Sequence, residues 1–431
     1  SMVRYYPHND FMCHVLGFVN YEGIGSSGVE QLLDKYLRGC PGVIESNVNA
    51  FRQELYTQRN IYIPALEGAD VFLNLDQNIQ HIVEKSLDAV MERHKAKAAW
   101  AIVQRVRTGE LLGMACRPSF NLNDFYRTKP EYLLNRAIGN IYEPGSTFKA
   151  GIIAMAIDRG CVSPDTIFDC ENGEWKYGGR VLRDHHNYAK LTVADILKKS
   201  SNIGAAKIAL TLGDRRMYEG LKAFGLGQAL GIDLPGEEKG ILHPASTWSK
   251  ISPTRIAIGQ GVAVTALQML GLMCAIGNDG FLMRPHVVQS VVGKDGTVLL
   301  DPKPEVLARP ISSESAAMMR DLLARVTENG GTGMRARVEG YKVAGKTGTA
   351  QKAIAGGYSE TAYVASFVGF LPADDPEIGI IVVVDEPQPI HTGGAVAGPV
   401  FSEIAGQTVR YLDISPARSY LAGTAGSAIH R

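Results

Sequence analysis

The chain has 431 residues, 45% of them hydrophobic and 20% charged; these are ordinary globular values and exclude a disordered or fibrous chain. At roughly 100–200 residues per domain, the length predicts about two or three domains. Lys plus Arg (44) balances Asp plus Glu (44), which removes the electrostatic reason to expect nucleic acid or an anionic membrane surface as partner. No apolar run reaches the ~18 residues that mark a membrane-spanning helix; the longest, Ile378 to Val384, is strand-sized. The opening Ser1-Met2 reads as a cloning remnant on a truncated chain, so a signal or anchor is expected to precede it in the natural protein.

In chain order, residues 1–67 mix short apolar bursts with turn signals and are too few for a robust core of their own. They read as a remnant of a larger module packed on a main domain at 68–412, with a small, polar, fraying tail at 413–431. Within the first segment, His14 to Val19 reads as a strand, Gly23 to Gly28 as a loop and Val29 to Leu37 as a short helix. Asp76 then caps a helix in which Ile79, Ile82, Val83, Leu87, Val90 and Met91 recur at helical spacing. Ala99 to Val106, the turn Arg107-Thr108-Gly109-Glu110, and Leu111 to Cys116 form a β-hairpin pattern. Near the other end, Ala362 to Leu371 and Glu377 to Asp385 form a second hairpin, followed by a helix from about Val400 to Leu412. The middle is helical. The order predicts an α+β fold: an antiparallel sheet built from both chain ends, flanked by helices, with an all-helical subdomain.

Six cysteines in so long a chain do not make a disulfide scaffold, and Cys161 and Cys170 read as unpaired or buried thiols rather than a bridge. There is no CxxC and no HExxH, and the adjacent His185-His186 cannot both face one metal from a strand. No metal and no cofactor is expected.

Three motifs carry chemistry. In Glu143-Pro144-Gly145-Ser146-Thr147-Phe148-Lys149, the Pro-Gly turn leads into good helix formers, so Ser146 sits at a helix N-terminus with Lys149 one turn along. A serine hydroxyl is a poor nucleophile until a base takes its proton, and a lysine depressed by burial serves as that base. Ser-x-x-Lys alone is a weak signal, although Ser146 is the one serine here that satisfies it. The second motif, Ser200-Ser201-Asn202, follows a helical run from Thr192 to Lys199; the decoy Ser119-Phe120-Asn121 shows how cheap the pattern is. The third, Lys346-Thr347-Gly348-Thr349, puts an amine and two hydroxyls on a strand edge, where Gly348 lets substrate lie close. Beside it, the Gly-rich stretch Lys352 to Glu360 reads as a loop. The bland readings are a capping serine, a polar turn and the end of a short strand. Order and spacing decide against them: 54 residues separate Ser146 from Ser200, and 146 separate Ser200 from Lys346.

Ser-x-x-Lys, Ser-x-Asn and Lys-Thr-Gly in that order resemble the penicillin-recognising serine enzymes. The longer stretches Asn135 to Ile138, Tyr142 to Lys149, Lys199 to Gly204, Ile258-Gly259-Gln260-Gly261 and Gly345 to Lys352 are similar to class B penicillin-binding proteins over roughly residues 68–412. His14 to Phe18 and Gly28 to Glu30 resemble the end of that family's non-catalytic pedestal, and Glu143 before Pro144 resembles its division branch more than its elongation branch. Two positions depart from the pattern. Ala150 and Ala266 stand where a proline is usual.

The resemblance implies a peptidoglycan D,D-transpeptidase. Ser146 attacks the carbonyl between two terminal D-alanines of a donor stem peptide, Lys149 is its base, and Ser200 and Lys346 pass the proton to the leaving amine. Asn202 holds the acyl-side amide, Thr347 and Thr349 bind the terminal carboxylate beside Gly348, and the backbone N–H groups of Ser146 and Thr349 form the oxyanion hole. The implied partners are stem peptides, an amine acceptor, β-lactam antibiotics, a glycan-polymerising membrane protein and division proteins. The implied location is the outer face of the bacterial cytoplasmic membrane, on an N-terminal anchor. A β-lactam sensor, a non-catalytic division scaffold and a serine β-lactamase are the competing readings. The lactamase pattern Glu131-Tyr132-Leu133-Leu134-Asn135 occurs, but ahead of Ser146 rather than after Ser-x-Asn.

Overall fold

The computed structural model describes residues 4–48, 54–354 and 356–416. The N-terminal part holds three short helices, α1 (Cys13–Leu16), α2 (Gly28–Leu32) and α3 (Asp34–Leu37), and a hairpin of β1 (Val43–Val48) and β2 (Glu54–Ile63). The expected helix at 29–37 is therefore present as two pieces broken at Leu33. The expected strand at 14–19 is not: Gly17, at φ 71°, ends a single helical turn by donating its N–H to Cys13 O, and Val19 keeps one bridge, to Gly25. A side chain at Gly17 would lie 1.9 Å from Ser27 O, so the chain doubles back there instead of running extended. Contacts that tie this part to the rest of the chain include Met12 N–H donating to Glu84 Oε1 (2.9 Å) and His14 Nε2 lying 2.8 Å from Tyr132 O.

β3 (Asp70–Leu73) leads into α4 (Gln77–His94), β4 (Ala98–Arg105) and β5 (Leu111–Arg117). Asp76 caps α4 as expected, accepting from the N–H groups of Asn78 and Ile79. A 3₁₀ turn (Gly145–Phe148) then runs directly into α5 (Lys149–Asp158). Next come a small hairpin, β6 (Glu174–Tyr177) and β7 (Arg180–Arg183), and the helices α6 (Val193–Lys199), α7 (Asn202–Leu212), α8 (Asp214–Ala223) and α9 (Ala266–Gly277). β8 (Val288–Val292) lies between β3 and β9 (Val298–Leu300) in a separate three-stranded sheet. The chain continues through α10 (Ser313–Arg325), β10 (Ala344–Ile354), β11 (Gly357–Leu371) and β12 (Ile378–Asp385), and closes with α11 (Gly393–Tyr411).

The main sheet has the order β10-β11-β12-β4-β5, antiparallel throughout, and so joins the two chain ends as the hairpin patterns required. Its inner strands are apolar almost without interruption because both faces are covered. Ala99, Ala101, Val103, Val382 and Phe367 pack under α4 and α11. Trp100, Ile102, Val383 and Phe370 face the helical subdomain, whose central helix, α9, is buried along its whole length.

Two expectations need correction. The last helix starts seven residues before Val400 and keeps Pro399 inside it. Its first residues, Gly393 and Gly394, press so tightly on neighbouring backbone that added Cβ atoms would lie 2.1 Å from Gly348 O in β10 and 2.4 Å from Thr332 O in a turn. Within the stretch 352–360, residues 352–354 and 357–360 are strand and continue a hairpin, with Ala353 opposite Tyr358 and Ile354 opposite Gly357. The tail from 417 onward lies outside the described residues; before it, Tyr341 OH donates to Ile414 O at 2.6 Å.

At the start of α9, where a proline is absent, Thr265 and Gln268 form a reciprocal capping box within the core. Thr265→Ala leaves a buried N–H without its acceptor and is expected to cost about 1–3 kcal/mol, read as a lowered Tm, whereas Thr265→Ser keeps the hydroxyl and stays near the parent.

Candidate active site

The turn bearing Ser146 is set by close backbone contacts. Tyr142 exchanges backbone hydrogen bonds with Val264, and Gly145 N–H donates to Gly259 O. Gly145 and Gly259 both have positive φ, and a Cβ at Gly259 would sit 2.2 Å from Gly145 O. On the other side, a Cβ at Gly348 would meet Ser366 Oγ at 2.3 Å and Thr147 Cγ2 at 2.9 Å. Gly348 therefore lets the Ser146 turn lie against β10. The first turn is 3₁₀ and runs directly into the helix that begins at Lys149. At three residues per turn, positions i and i+3 eclipse, which stacks Ser146 beside Lys149.

The three motifs converge on Ser200 Oγ. Lys149 Nζ lies 3.0 Å from Ser146 Oγ, 3.2 Å from Ser200 Oγ, and 2.7 Å from both Ser200 O and Asn202 Oδ1. Lys346 Nζ, from near the start of β10, lies 3.0 Å from Ser200 Oγ and 3.3 Å from Thr347 O. Ser200 is in the left-handed region, with φ 62°, between α6 and α7. A non-glycine residue held there is strained, and the conformation turns both its carbonyl and its hydroxyl toward Lys149. Asn202 is oriented by Nδ2 donating to Arg183 O at 2.8 Å.

Both amines are fully buried. Burial, and then the neighbouring charge of Lys346, hold Lys149 well below the usual lysine range, with Asp184 acting in the opposite sense. Burial brings Lys346 down to about 7. The contacts fit a neutral Lys149. Its two N–H bonds go to the oxygens that can only accept, Ser200 O and Asn202 Oδ1, and its lone pair is left facing the Ser146 hydroxyl.

β10 is an edge strand, so its outer edge borders the cleft. Thr349 adjoins the Ser146 turn: its carbonyl lies 3.1 Å from where a Gly145 Cβ would be. Thr349 Oγ1 accepts from Gly393 N–H at the head of α11, and the Thr347 hydroxyl donates to Thr332 Oγ1, each at 2.9 Å.

Two members of this network, Thr332 and Asp184, carry no recognisable signal in the sequence, and a third, Glu143, carries a signal of a different role. Thr332 sits alone in a Gly-rich turn. Asp184 stands next to two histidines that draw the eye toward metals. Glu143 marks a branch of the family by sequence, yet in the fold it accepts from Gly261 N–H (2.8 Å) and Tyr358 OH (3.2 Å), and burial raises its pKa. The lactamase-like Glu131-to-Asn135 stretch has another use, since Asn135 caps a helical turn and donates to His14 O. The described cysteines are unpaired, and no described group of three or more His, Cys, Asp or Glu is placed to hold a metal.

A serine eclipsed by a buried lysine, a second serine between two amines, and a Lys-Thr-Gly-Thr edge strand on this sheet define a penicillin-recognising serine enzyme. Residues 99–406 match the penicillin binding protein transpeptidase domain, and residues 1–73 match the penicillin-binding protein dimerisation domain. The chain is 34% identical over 422 residues to the probable peptidoglycan D,D-transpeptidase PenA of Neisseria gonorrhoeae, covering 97% of this chain and 70% of that protein. It is 33% identical over 415 residues to the peptidoglycan D,D-transpeptidase FtsI of Escherichia coli K12, covering 96% and 68%. The penicillin binding protein 3 of Mycobacterium tuberculosis complexed with ampicillin is similar at TM-score 0.86 and 32% identity, covering 96% of this chain and 91% of that one. The chain belongs to the class B penicillin-binding proteins.

A lysine whose folded pKa is depressed opposes folding fully below that folded pKa, and the cost fades as pH rises toward its unfolded value. With Lys346 at about 7 in the folded state, Lys346→Met is expected to raise Tm more at pH 6 than at pH 9. Equal shifts at the two pH values would show that burial of this amine carries no such cost.

Proposed function

We propose that this chain is a peptidoglycan D,D-transpeptidase acting through a Ser146 acyl-enzyme. The observation that carries the reading is the Ser146–Lys149–Ser200–Lys346 chain of contacts at 3.0–3.2 Å. Ser146 Oγ attacks the penultimate D-alanine carbonyl while its proton passes to the neutral Lys149 amine, general-base help worth ~10²–10⁴-fold. The backbone N–H groups of Ser146 and Thr349 receive the developing oxyanion, each worth ~10²–10³-fold. The C–N bond breaks, and Ser200, resupplied by Lys346, gives the departing D-alanine amine its proton. An acceptor amine then attacks the ester, loses its proton to the same network, and Ser146 leaves with a proton restored. A β-lactam undergoes the first half, but its amine stays tethered to the acyl group and blocks the acceptor.

Donor binding rests on the same hydrogen bonds. Asn202 Nδ2 gives one N–H to Arg183 O and has a second for the acyl-side carbonyl. Thr349 Oγ1 accepts from Gly393 and so keeps its own O–H for the terminal carboxylate. The Thr347 O–H points at Thr332 and must rotate to join it.

We further assign residues 1–67 to a pedestal, 68–412 to the transpeptidase domain and 413–431 to a tail. The enzyme works on the outer face of the cytoplasmic membrane, with a glycan-polymerising membrane partner and division proteins. No described helix is long and apolar enough to cross a membrane. Glu143 before Pro144 supports the septal role.

Intact-mass spectrometry after mixing with benzylpenicillin tests the reading. A lasting adduct of one drug mass is expected on the parent and none on Ser146→Ala. Rapid drug hydrolysis without an adduct would indicate a lactamase, and neither adduct nor hydrolysis would leave a scaffold.

A further inference from the structure

The segment leaving β7 holds the Ser-x-Asn motif from behind. Arg183 O accepts a hydrogen bond from Asn202 Nδ2–H (2.8 Å), and the carboxylate of the next residue, Asp184, accepts from three donors: Ser201 Oγ–H (2.7 Å), Ile203 N–H (3.0 Å) and the Asn202 N–H. Asp184 is itself held by its backbone N–H donating to Gly173 O at 3.0 Å. Its carboxylate sits at the N-terminus of the eleven-residue α7, where partial positive charge and unpaired N–H groups favour an anion. Capping alone does not require it, because Ser201 already caps α7 by accepting from Gly204 N–H at 2.9 Å. What Asp184 adds is a formal charge behind the residue that contacts Lys149, in a site otherwise furnished with two amines.

We propose that Asp184 is a positioning residue for the acylation step: it fixes Asn202 so that Oδ1 orients the Lys149 amine, and its negative charge balances the two buried lysines. This deepens the transpeptidase reading and rests on it. The charged and titratable groups around the pair are Lys346 on β10, and His185, Tyr188 and Cys170 beside Asp184. Asp184 and Lys346 act on Lys149 in opposite directions, the carboxylate favouring the ammonium and the second amine disfavouring it.

Lys149 works as a base only when neutral, so acylation falls on the acid side as it gains a proton. Removing the Asp184 charge makes that proton harder to bind, and the acid limb moves to lower pH. Acylation of the whole chain by nitrocefin should be followed from pH 5.5 to 9.5 for the parent, Asp184→Asn, Asp184→Glu and Ser201→Ala. For Asp184→Asn we expect a limb shifted down by about half a pH unit or more and a plateau lowered roughly 10-fold by looser orientation. Asp184→Glu keeps the charge, so its limb should stay with the parent while its plateau drops. Ser201→Ala removes a cap without removing charge, and is expected to lower Tm and leave the limb in place.

An Asp184→Asn limb that coincides with the parent, with a rate loss no larger than that of Ser201→Ala, would overturn the proposal. If Asp184→Asn does not fold, a limb displaced in Asp184→Glu as far as the loss of charge demands overturns it equally. A parent that forms no Ser146 adduct defeats the underlying reading; a parent that does, with an unmoved limb, defeats this inference alone.

Discussion

Everything in the cleft depends on one hydroxyl shared by two buried amines. Ser200 Oγ lies 3.2 Å from Lys149 Nζ and 3.0 Å from Lys346 Nζ, and neither amine has a carboxylate in direct contact among the described residues. Two ammonium ions so close in a dry pocket repel and lack hydration, so at least one proton must leave. That is why the pocket can hold a base at neutral pH. The arrangement is unfavourable to folding, and the surrounding structure has to impose it.

The imposition comes from two rigid bodies of packing. Lys149 begins a helix whose next residues are buried in the large helical core, while Lys346 is fixed in register opposite Val368 in the five-stranded sheet. The Ser146 turn is trapped between them because glycines let backbones meet: Gly259 against Gly145, Gly348 against the 144–147 turn, and Gly393 against Gly348. A methyl group at any of these three would drive apart the elements that bring base and nucleophile together.

Much of this is legible in the sequence, for physical reasons. The hairpin strands announce themselves through near-continuous apolar runs, and α4 through its periodic apolar stripe and Asp76 cap. The motif residues Ser146, Lys149, Ser200, Asn202 and Lys346 are legible because order and spacing multiply weak signals. Three-dimensional closeness is not. That Gly348 also packs against the Ser146 turn is invisible in the sequence, because that turn is about two hundred residues distant. The helical turn at Cys13–Leu16 is hidden because four residues carry too little pattern to separate helix from strand. Asp184 and Thr332 carry no local signal, since a lone acid or hydroxyl gains meaning only from what folds against it.

The acid and base roles need not be built in permanently; substrate can assign them. On the transpeptidase reading, the donor arrives with a carboxylate that settles against Thr347 and Thr349, beside Lys346. An anion there favours the ammonium form of Lys346 and raises its pKa from about 7. A charged Lys346 in turn pushes Lys149 further down, because the second amine already lowers its basicity. Binding therefore drives the two lysines apart, one toward proton donor and the other toward proton acceptor, with Ser200 between them as the route. A donor lacking the carboxylate would leave both amines competing for the same proton. The strand residues thus select for the carboxylate twice, once by hydrogen bonding it and once by needing its charge.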